Sequence, residues 1–390
     1  MGRMQGRDVA FIGGGIGGLA AALAFARRGA NVTVYEQAPE LREVGAGLQI
    51  SPNGGRVLEA LGLDAAAASI PATAVEPMDA LTGRRITRFD LTRLDGPPYR
   101  FFYRPDLIDL LAGGCAEAGV ALRTGVKIDL RGGRPHLNDG TPIRADLVVG
   151  ADGIHSVIRP ELNGKDAAFF AGQVAWRATI RAKDAAPVAR TWMAPGCHVV
   201  TYPLLGGRLN IVAVQERADW AAEGWHFFDD PSVVQAAFAH CAPELRAILS
   251  EIQTVRLWGL FRHPVAPVWQ DGQGTAILGD AAHPTLPFMA QGATLALEDA
   301  WVLAAACDEL DDLPSGLARY QALRRDRACR AIAAANANAV NFHLSGLRRS
   351  LSHRILAGIG RVAPGAFLGR YDWLYRHDVT APGYASQSDR

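Results

Sequence analysis

The chain has few cysteines and no pattern among them. Its 390 residues include five, Cys115, Cys197, Cys241, Cys307 and Cys329. The number is odd, the spacing wide and no CxxC occurs, so neither a disulfide framework nor a metal site is indicated, and a reducing cytoplasm is the expected compartment. Charge of one sign is also scarce. Forty Lys plus Arg stand against thirty-nine Asp plus Glu, for a formal charge of +1, and no block of five or six like charges appears. Without a basic stripe, nucleic acid is not an expected partner. The uncharged run from Val9 to Ala26 follows Arg3 and Arg7 and could be taken for a signal peptide or a membrane span. Five glycines crowd its middle, and the strand that follows uses the helix as a crossover, so no span is expected. Internal repeats, low-complexity linkers and a second GxGxxG are all missing.

What is present fits a globular protein long enough for two domains, 49% hydrophobic and 20% charged. The stretch from Asp8 to Glu36, DVAFIGGGIGGLAAALAFARRGANVTVYE, reads as strand, glycine turn, helix and second strand. Gly13, Gly15 and Gly18 form a GxGxxG. The first glycine takes the tight bend, the second lets a pyrophosphate approach the backbone, and the third lets helix pack on strand, with helix amides facing the anion. Glu36 closes the second strand, eighteen residues after Gly18. There a carboxylate can accept hydrogen bonds from both hydroxyls of an adenosine ribose, which suits a dinucleotide without a 2′-phosphate.

Further along, loop signals at Pro39, Gly45 and Gly47 precede a helix expected from about Asn53 to Leu61. Arg42 sits where a loop can return towards the dinucleotide's phosphates; a solvated surface arginine reads equally well. Alternating runs from Thr73 to Arg93 indicate a strand and hairpin excursion into a second domain. Arg104 and Asp106 open a helix, with the acid in its first turn. The apolar run Ala145 to Val149 reads as a buried parallel strand, and Gly150 to Gly153 as the turn at its carboxyl end, where open α/β sheets place ligands. Asp152 in that turn is a ligand candidate, or only a turn cap. Between Phe169 and Trp269 the pattern is strand-rich, with a helical insert at Ser232 to Ser250. Trp176, Trp192, Tyr202, Trp258 and Phe261 there either roof an apolar pocket or fill a core. Near the end, GTAILGDAAHPTLPFMAQGATLALEDA gives a short strand, a Gly279–Asp280 turn, a proline-rich loop and an apolar helix from Gly292. The last residues form a polar stub expected to be disordered.

Three motifs in this order, GGGIGG ending in Glu36, GADGIHSVIR, and GDAAHPTLPFMAQGATLALEDA, resemble the class A FAD-dependent aromatic monooxygenases. Phrases such as QVAWRATI and LEDA are similar to the branch of salicylate, 3-hydroxybenzoate and 6-hydroxynicotinate hydroxylases. The resemblance implies an α/β fold: a Rossmann-like FAD-binding domain, discontinuous in sequence (1–72, 100–168 and 269–345), a β-sheet substrate domain (73–99 and 169–268) and a C-terminal helical tail (346–390). It implies FAD held by Gly13, Gly15, Gly18 and Glu36 at the adenosine end. Arg104 reaches the pyrophosphate or ribityl chain, Asp152 supports the pyrophosphate, and Asp280 binds ribityl hydroxyls. Pro287 lies beside the isoalloxazine, and Gly292 supplies amides to its pyrimidine edge, where a helix N-terminus would meet the negative charge of reduced flavin.

NADH or NADPH is then a transient co-substrate, since no second dinucleotide motif is present. The implied reaction is reduction of FAD, addition of O2 to give a flavin C4a-hydroperoxide, and oxygen transfer to a small aromatic substrate, a phenol or hydroxypyridine. Epoxidation or attack at a non-phenolic carbon is the alternative on the same scaffold, and a non-catalytic flavin-binding protein a more distant one. His198 and Tyr202 are four apart on an expected strand, hence on one face and about 13 Å apart if it is regular. In the branch resembled, a histidine at this place acts on the substrate hydroxyl, which implies His198 as base and Tyr202 as a substrate contact; a satisfied core histidine is the bland alternative. Gln291, just before the flavin-facing helix, is a further candidate for touching substrate. His283 and His155 are read as loop structure, and Arg177 as one possible partner for a substrate carboxylate. A monomer or homodimer is expected.

Overall fold

The computed structural model describes residues 2–41, 46–165, 167–218 and 227–386; Arg42 and residues 387–390 therefore lie outside the described residues, whereas the first part of the stub expected to be disordered is ordered, with Val379 and Ala385 buried in the core. Its first layer is a five-stranded parallel sheet in the order Thr275–Ile277, Leu147–Gly150, Asp8–Ile12, Asn31–Tyr35, Ala121–Arg123. Segments more than 260 residues apart in sequence are thus neighbours or near neighbours in one sheet. All five strands end at the same edge, and the turns that leave that edge carry Gly13, Glu36, Asp152 and Asp280.

Helix Ile16–Ala26 has no polar face because it is covered on every side. Leu19 through Phe25 are completely buried between the parallel sheet and helices Arg104–Glu117 and Gly292–Glu309. Gly17 permits that closeness: a Cβ there would lie 2.7 Å from Leu278 Cδ1 and 3.2 Å from Ala296 Cβ. The uncharged run that resembles a membrane span is in fact a strand, a glycine turn and a core helix of 11 residues, and no helix among the described residues is long and apolar enough to cross a membrane.

The second layer is an eight-stranded sheet built from segments 74–79, 89–90 and 169–262, with most neighbours antiparallel. Strand alternation divides its side chains. Along Phe169–Arg181, Val174, Trp176, Ala178 and Ile180 enter a core under the two helices Pro231–Ala237 and Pro243–Ser250. Arg177, between them, faces the opposite side. Trp176 and Trp192 therefore belong to the far core and do not roof a pocket. The expected single helical insert is two helices, broken before Pro243, whose ring removes a backbone donor and disfavours helix in the preceding residue.

A three-stranded sheet, Gly47–Ile50, Arg100–Tyr103 and Ser69–Pro71, borders the seam between the layers. The 30-residue helix Leu313–Phe342 runs along both, and helix Gly346–Val362 follows it.

Candidate active site

Between the two layers lies a cleft of about 680 Å³. At one end Gly13 has φ +108°, and a Cβ there would lie 2.4 Å from the Ala151 carbonyl oxygen, so the first glycine is required by the turn itself. Gly18 is required by packing, since its Cβ would strike the Gly13 oxygen at 2.1 Å. Gly15 differs. It is the N-cap of helix Ile16–Ala26, has ordinary extended dihedrals, and its missing Cβ points where no heavy atom lies within 4 Å. That open space is cleft, directly over uncapped helix amides.

Glu36 adjoins this turn. Its Oε2 accepts from the Gly14 amide at 2.7 Å and its Oε1 from the Ala38 amide at 2.8 Å, which fixes the carboxylate at the cleft wall. Asp152 Oδ2 accepts from the Val157 amide at 2.7 Å, whereas Oδ1 is buried with no hydrogen-bond partner. Asp152 is thus a turn cap with a second oxygen left for a ligand. Burial raises its pKa, partly opposed by hydrogen bonds from the turn.

Asp280 follows strand Thr275–Ile277 and faces the open cleft. Although its surface is accessible there, protein crowds its other sides, and that desolvation raises its pKa against the pull of His283 and Arg104. Arg104, whose amide donates to the Ala46 carbonyl at 2.9 Å, lines the same cleft.

The opposite wall is the inner face of the eight-stranded sheet. Strand Cys197–Leu204 stays paired with Arg208–Glu216 through Pro203, so it does not bend away there. His198, Val200 and Tyr202 accordingly face the cleft together, with Arg177 and Val212 from neighbouring strands. Burial, and then the neighbouring His343, push the pKa of His198 well below the usual histidine value. Burial pushes the Tyr202 phenol up. The Arg177 guanidinium lies 4.6 Å over the Trp258 ring.

Pro287 begins a short turn at the cleft and is followed by Ala290 in the left-handed region, φ +51° and ψ +36°. A non-glycine residue there costs about 1–2 kcal/mol, and this turn aims the uncapped N-terminus of helix Gly292–Glu309 at the cleft. Gln291 does not reach the cleft. Its side chain is buried, with Nε2 donating to Ser51 Oγ at 3.0 Å, because the helix phase rotates it inward. His283 is fully buried against Asp299, on whose carboxylate its ring closes a short hydrogen bond, and His155 is exposed at the rim.

Several cleft features carry no sequence signal. Lys127 lines the cleft close to Glu36, Ala290 supplies the left-handed turn, and His343 contacts the buried side of His198. Only the fold brings these to the site, and no motif marks them.

The open cradle at Gly15, the two helix N-termini, the fixed Glu36 and the spare Asp152 oxygen together suit an elongated dinucleotide with a central pyrophosphate. A family model described as an FAD binding domain matches residues 7–335. The chain is 36% identical over 362 residues to 3-amino-4-hydroxybenzoate 2-monooxygenase of Streptomyces cremeus, covering 87% of this chain and 89% of that protein. It is 34% identical over 391 residues to 3-hydroxybenzoate 6-hydroxylase of Polaromonas naphthalenivorans, covering 94% and 95%. Among solved structures, Klebsiella pneumoniae HpxO complexed with FAD and uric acid superposes with a TM-score of 0.81 at 25% identity, covering 92% of this chain and 95% of that one.

Proposed function

The chain belongs to the FAD binding domain family of flavin-dependent aromatic monooxygenases, and from that premise we propose that it hydroxylates a small phenolic or hydroxypyridine carboxylate, using NADH or NADPH and O2. The observation that carries this reading is the cleft wall itself: a buried histidine whose burial favours the neutral form, beside a tyrosine and an arginine, facing the proline turn and helix N-terminus of the flavin end.

Gly13, Gly15 and Gly18 would hold the pyrophosphate of FAD over the amides of helix Ile16–Ala26, and Glu36 its adenosine ribose. Arg104, Asp152 and Asp280 would hold the middle of the cofactor, and the amides at Gly292 its ring. When bound, FAD supplies electron transfer from the nicotinamide to dioxygen and delivery of one oxygen atom. The protein's own tasks are then binding, orientation and proton transfer. Arg177 pairs with a substrate carboxylate, and Val200, Val212 and Leu286 give the ring an apolar wall that excludes water. His198 takes the hydroxyl proton, and the resulting phenolate donates electron density to the carbon that is oxygenated. A monomer or homodimer in a reducing cytoplasm completes the reading, consistent with free cysteines.

The test is to follow NADH and NADPH oxidation by FAD-loaded protein against hydroxylated benzoates and pyridines while measuring hydrogen peroxide. Substrate-stimulated oxidation with little peroxide is expected for at least one phenolic carboxylate. Stimulation by none of them, or only with stoichiometric peroxide, overturns the proposal.

A further inference from the structure

Behind His198 the structure holds a chain of groups that the hydroxylase reading does not require. His198 Nδ1 lies 2.7 Å from His343 Nε2, and His343 Nδ1 lies 2.8 Å from Glu216 Oε1. Accessibility rises along it: His198 is 2% exposed, the His343 side chain 3% and the Glu216 side chain 54%. Glu216 and His343 line a second, outer cavity of about 370 Å³ farther along the same face of the sheet, with Gln173, Arg262, Ser345 and Arg348. His198 lines the first cleft and His343 the second. The two imidazoles are the wall between them.

From this geometry we infer that His343 and Glu216 form a proton relay carrying the substrate hydroxyl proton from His198 to solvent through the outer cavity. The inference rests on the proposed hydroxylase reading. Hydrogen-bond polarity supports it. An ionised carboxylate only accepts, so His343 Nδ1 carries the hydrogen that faces Glu216. Neutral His343 then accepts at Nε2, and His198 donates to it from Nδ1. His198 is left with a lone pair on Nε2, the nitrogen it can present to the cleft, which is the tautomer a base needs. The Gln173 amide, 3.4 Å from His343 Nδ1, is too distant to compete with the carboxylate.

The transfers balance. The substrate O–H breaks and His198 Nε2–H forms; His198 Nδ1–H breaks and His343 Nε2–H forms. His343 Nδ1–H then breaks as Glu216 takes the proton and passes it to water. When the oxygenated ring regains a hydroxyl proton, the same steps run in reverse and restore the starting tautomers. Burial lowers the pKa of both histidines, opposed at His343 by Glu216, which favours their neutral forms. The charged and titratable groups facing the relay are Arg177 and Tyr202 on the cleft side, and Arg262 and Arg348 on the outer side. His343 and Glu216 act through His198 and are positioning residues.

The test uses FAD-loaded protein and 3-hydroxybenzoate as probe, measuring phenolate formation by absorbance after a stopped-flow pH jump. Glu216→Gln keeps an acceptor for His343 but cannot carry the proton onward, and His343→Ala opens the relay to the outer cavity. Both variants should bind the probe within about twofold of wild type and form phenolate about tenfold or more slowly. Added imidazole should restore the rate of His343→Ala, which a merely structural role would not predict. Unchanged rates in both variants overturn the relay and leave the hydroxylase reading intact. Wild-type protein that turns over none of the hydroxybenzoates and does not ionise the probe overturns that reading, and the relay with it.

Discussion

Gly47 and Asn210 meet across the seam between the three-stranded and eight-stranded sheets: the Gly47 amide donates to Asn210 Oδ1 at 2.7 Å, and a Cβ on residue 47 would lie 2.6 Å from Asn210 Cγ and 2.7 Å from Tyr202 Cε2. Gly47→Ala is therefore predicted to cost about 1–3 kcal/mol of stability by overpacking. It should also raise the KM for substrate, because Tyr202 is pushed along the cleft wall. Denaturant midpoints and substrate-stimulated NADH oxidation check this; an unchanged midpoint would mean that the seam yields without cost.

The glycines of the first turn should separate into two kinds. Gly13→Ala faces a carbonyl and a positive φ, so it should lower stability by about 1–3 kcal/mol. Gly15→Ala adds a Cβ that meets no atom beyond its chain neighbours within 4 Å and should leave the unfolding midpoint of the apoprotein unchanged while weakening FAD binding at least about tenfold. Flavin fluorescence titration against denaturation reads both. Equal loss of stability in the two variants would refute the division.

His198→Asn should retain FAD and slow hydroxylation by about 100-fold or more near neutral pH. The sign with pH follows from the direction of the shift. Wild-type His198 stays neutral to a lower pH than an ordinary histidine, so activity falls only as pH drops through that lowered pKa. The variant depends on the phenol ionising by itself, so its deficit should shrink as pH rises towards about 10. A deficit that is constant with pH would remove His198 as base.

A buried ion network supports helix Gly292–Glu309, whose N-terminus points at the cleft. Arg324 lies 2.6 Å from Glu298 and 2.8 Å from Asp299, all three wholly buried, and Arg327 adds a second contact to Glu298 at 2.7 Å. Burial alone would raise both carboxyl pKa values; the arginines at Glu298, and His283 with Arg324 at Asp299, outweigh it and lower them. Their contribution to stability is thus present above the unfolded carboxyl pKa and lost as pH falls through the folded values. Arg324→Met strands the carboxylates and should cost about 3–5 kcal/mol at pH 7. That deficit should narrow below about pH 4, where carboxyls protonate readily. Denaturation at the two pH values measures it.

What the sequence disclosed depends on how locally each feature is encoded. Gly13, Glu36, Asp152 and Asp280 were legible because turns at strand ends have their own chemistry, and a parallel sheet gathers those ends at one edge. The shared face of His198 and Tyr202 followed from strand period. The direction of the Gln291 side chain was not legible, because it depends on the phase of the helix it precedes, which the Ser51 contact reveals. Trp176 and Trp192 could not be assigned to a face until the strand register was known. His343 and Glu216 stand 127 residues apart, and nothing short-range in either segment refers to the other.

The helix Leu313–Phe342 fastens Arg324 to Glu298 and Asp299 in its first half and delivers His343 to His198 just past its C-terminal end. Nineteen residues separate those two attachments, a span of about 28 Å at helical rise. Inserting or deleting one residue between them would swing His343 about 100° around the helix axis. In evolutionary terms, this interval should keep its length while its exposed residues drift, whereas the segments beyond it remain free to grow or shrink.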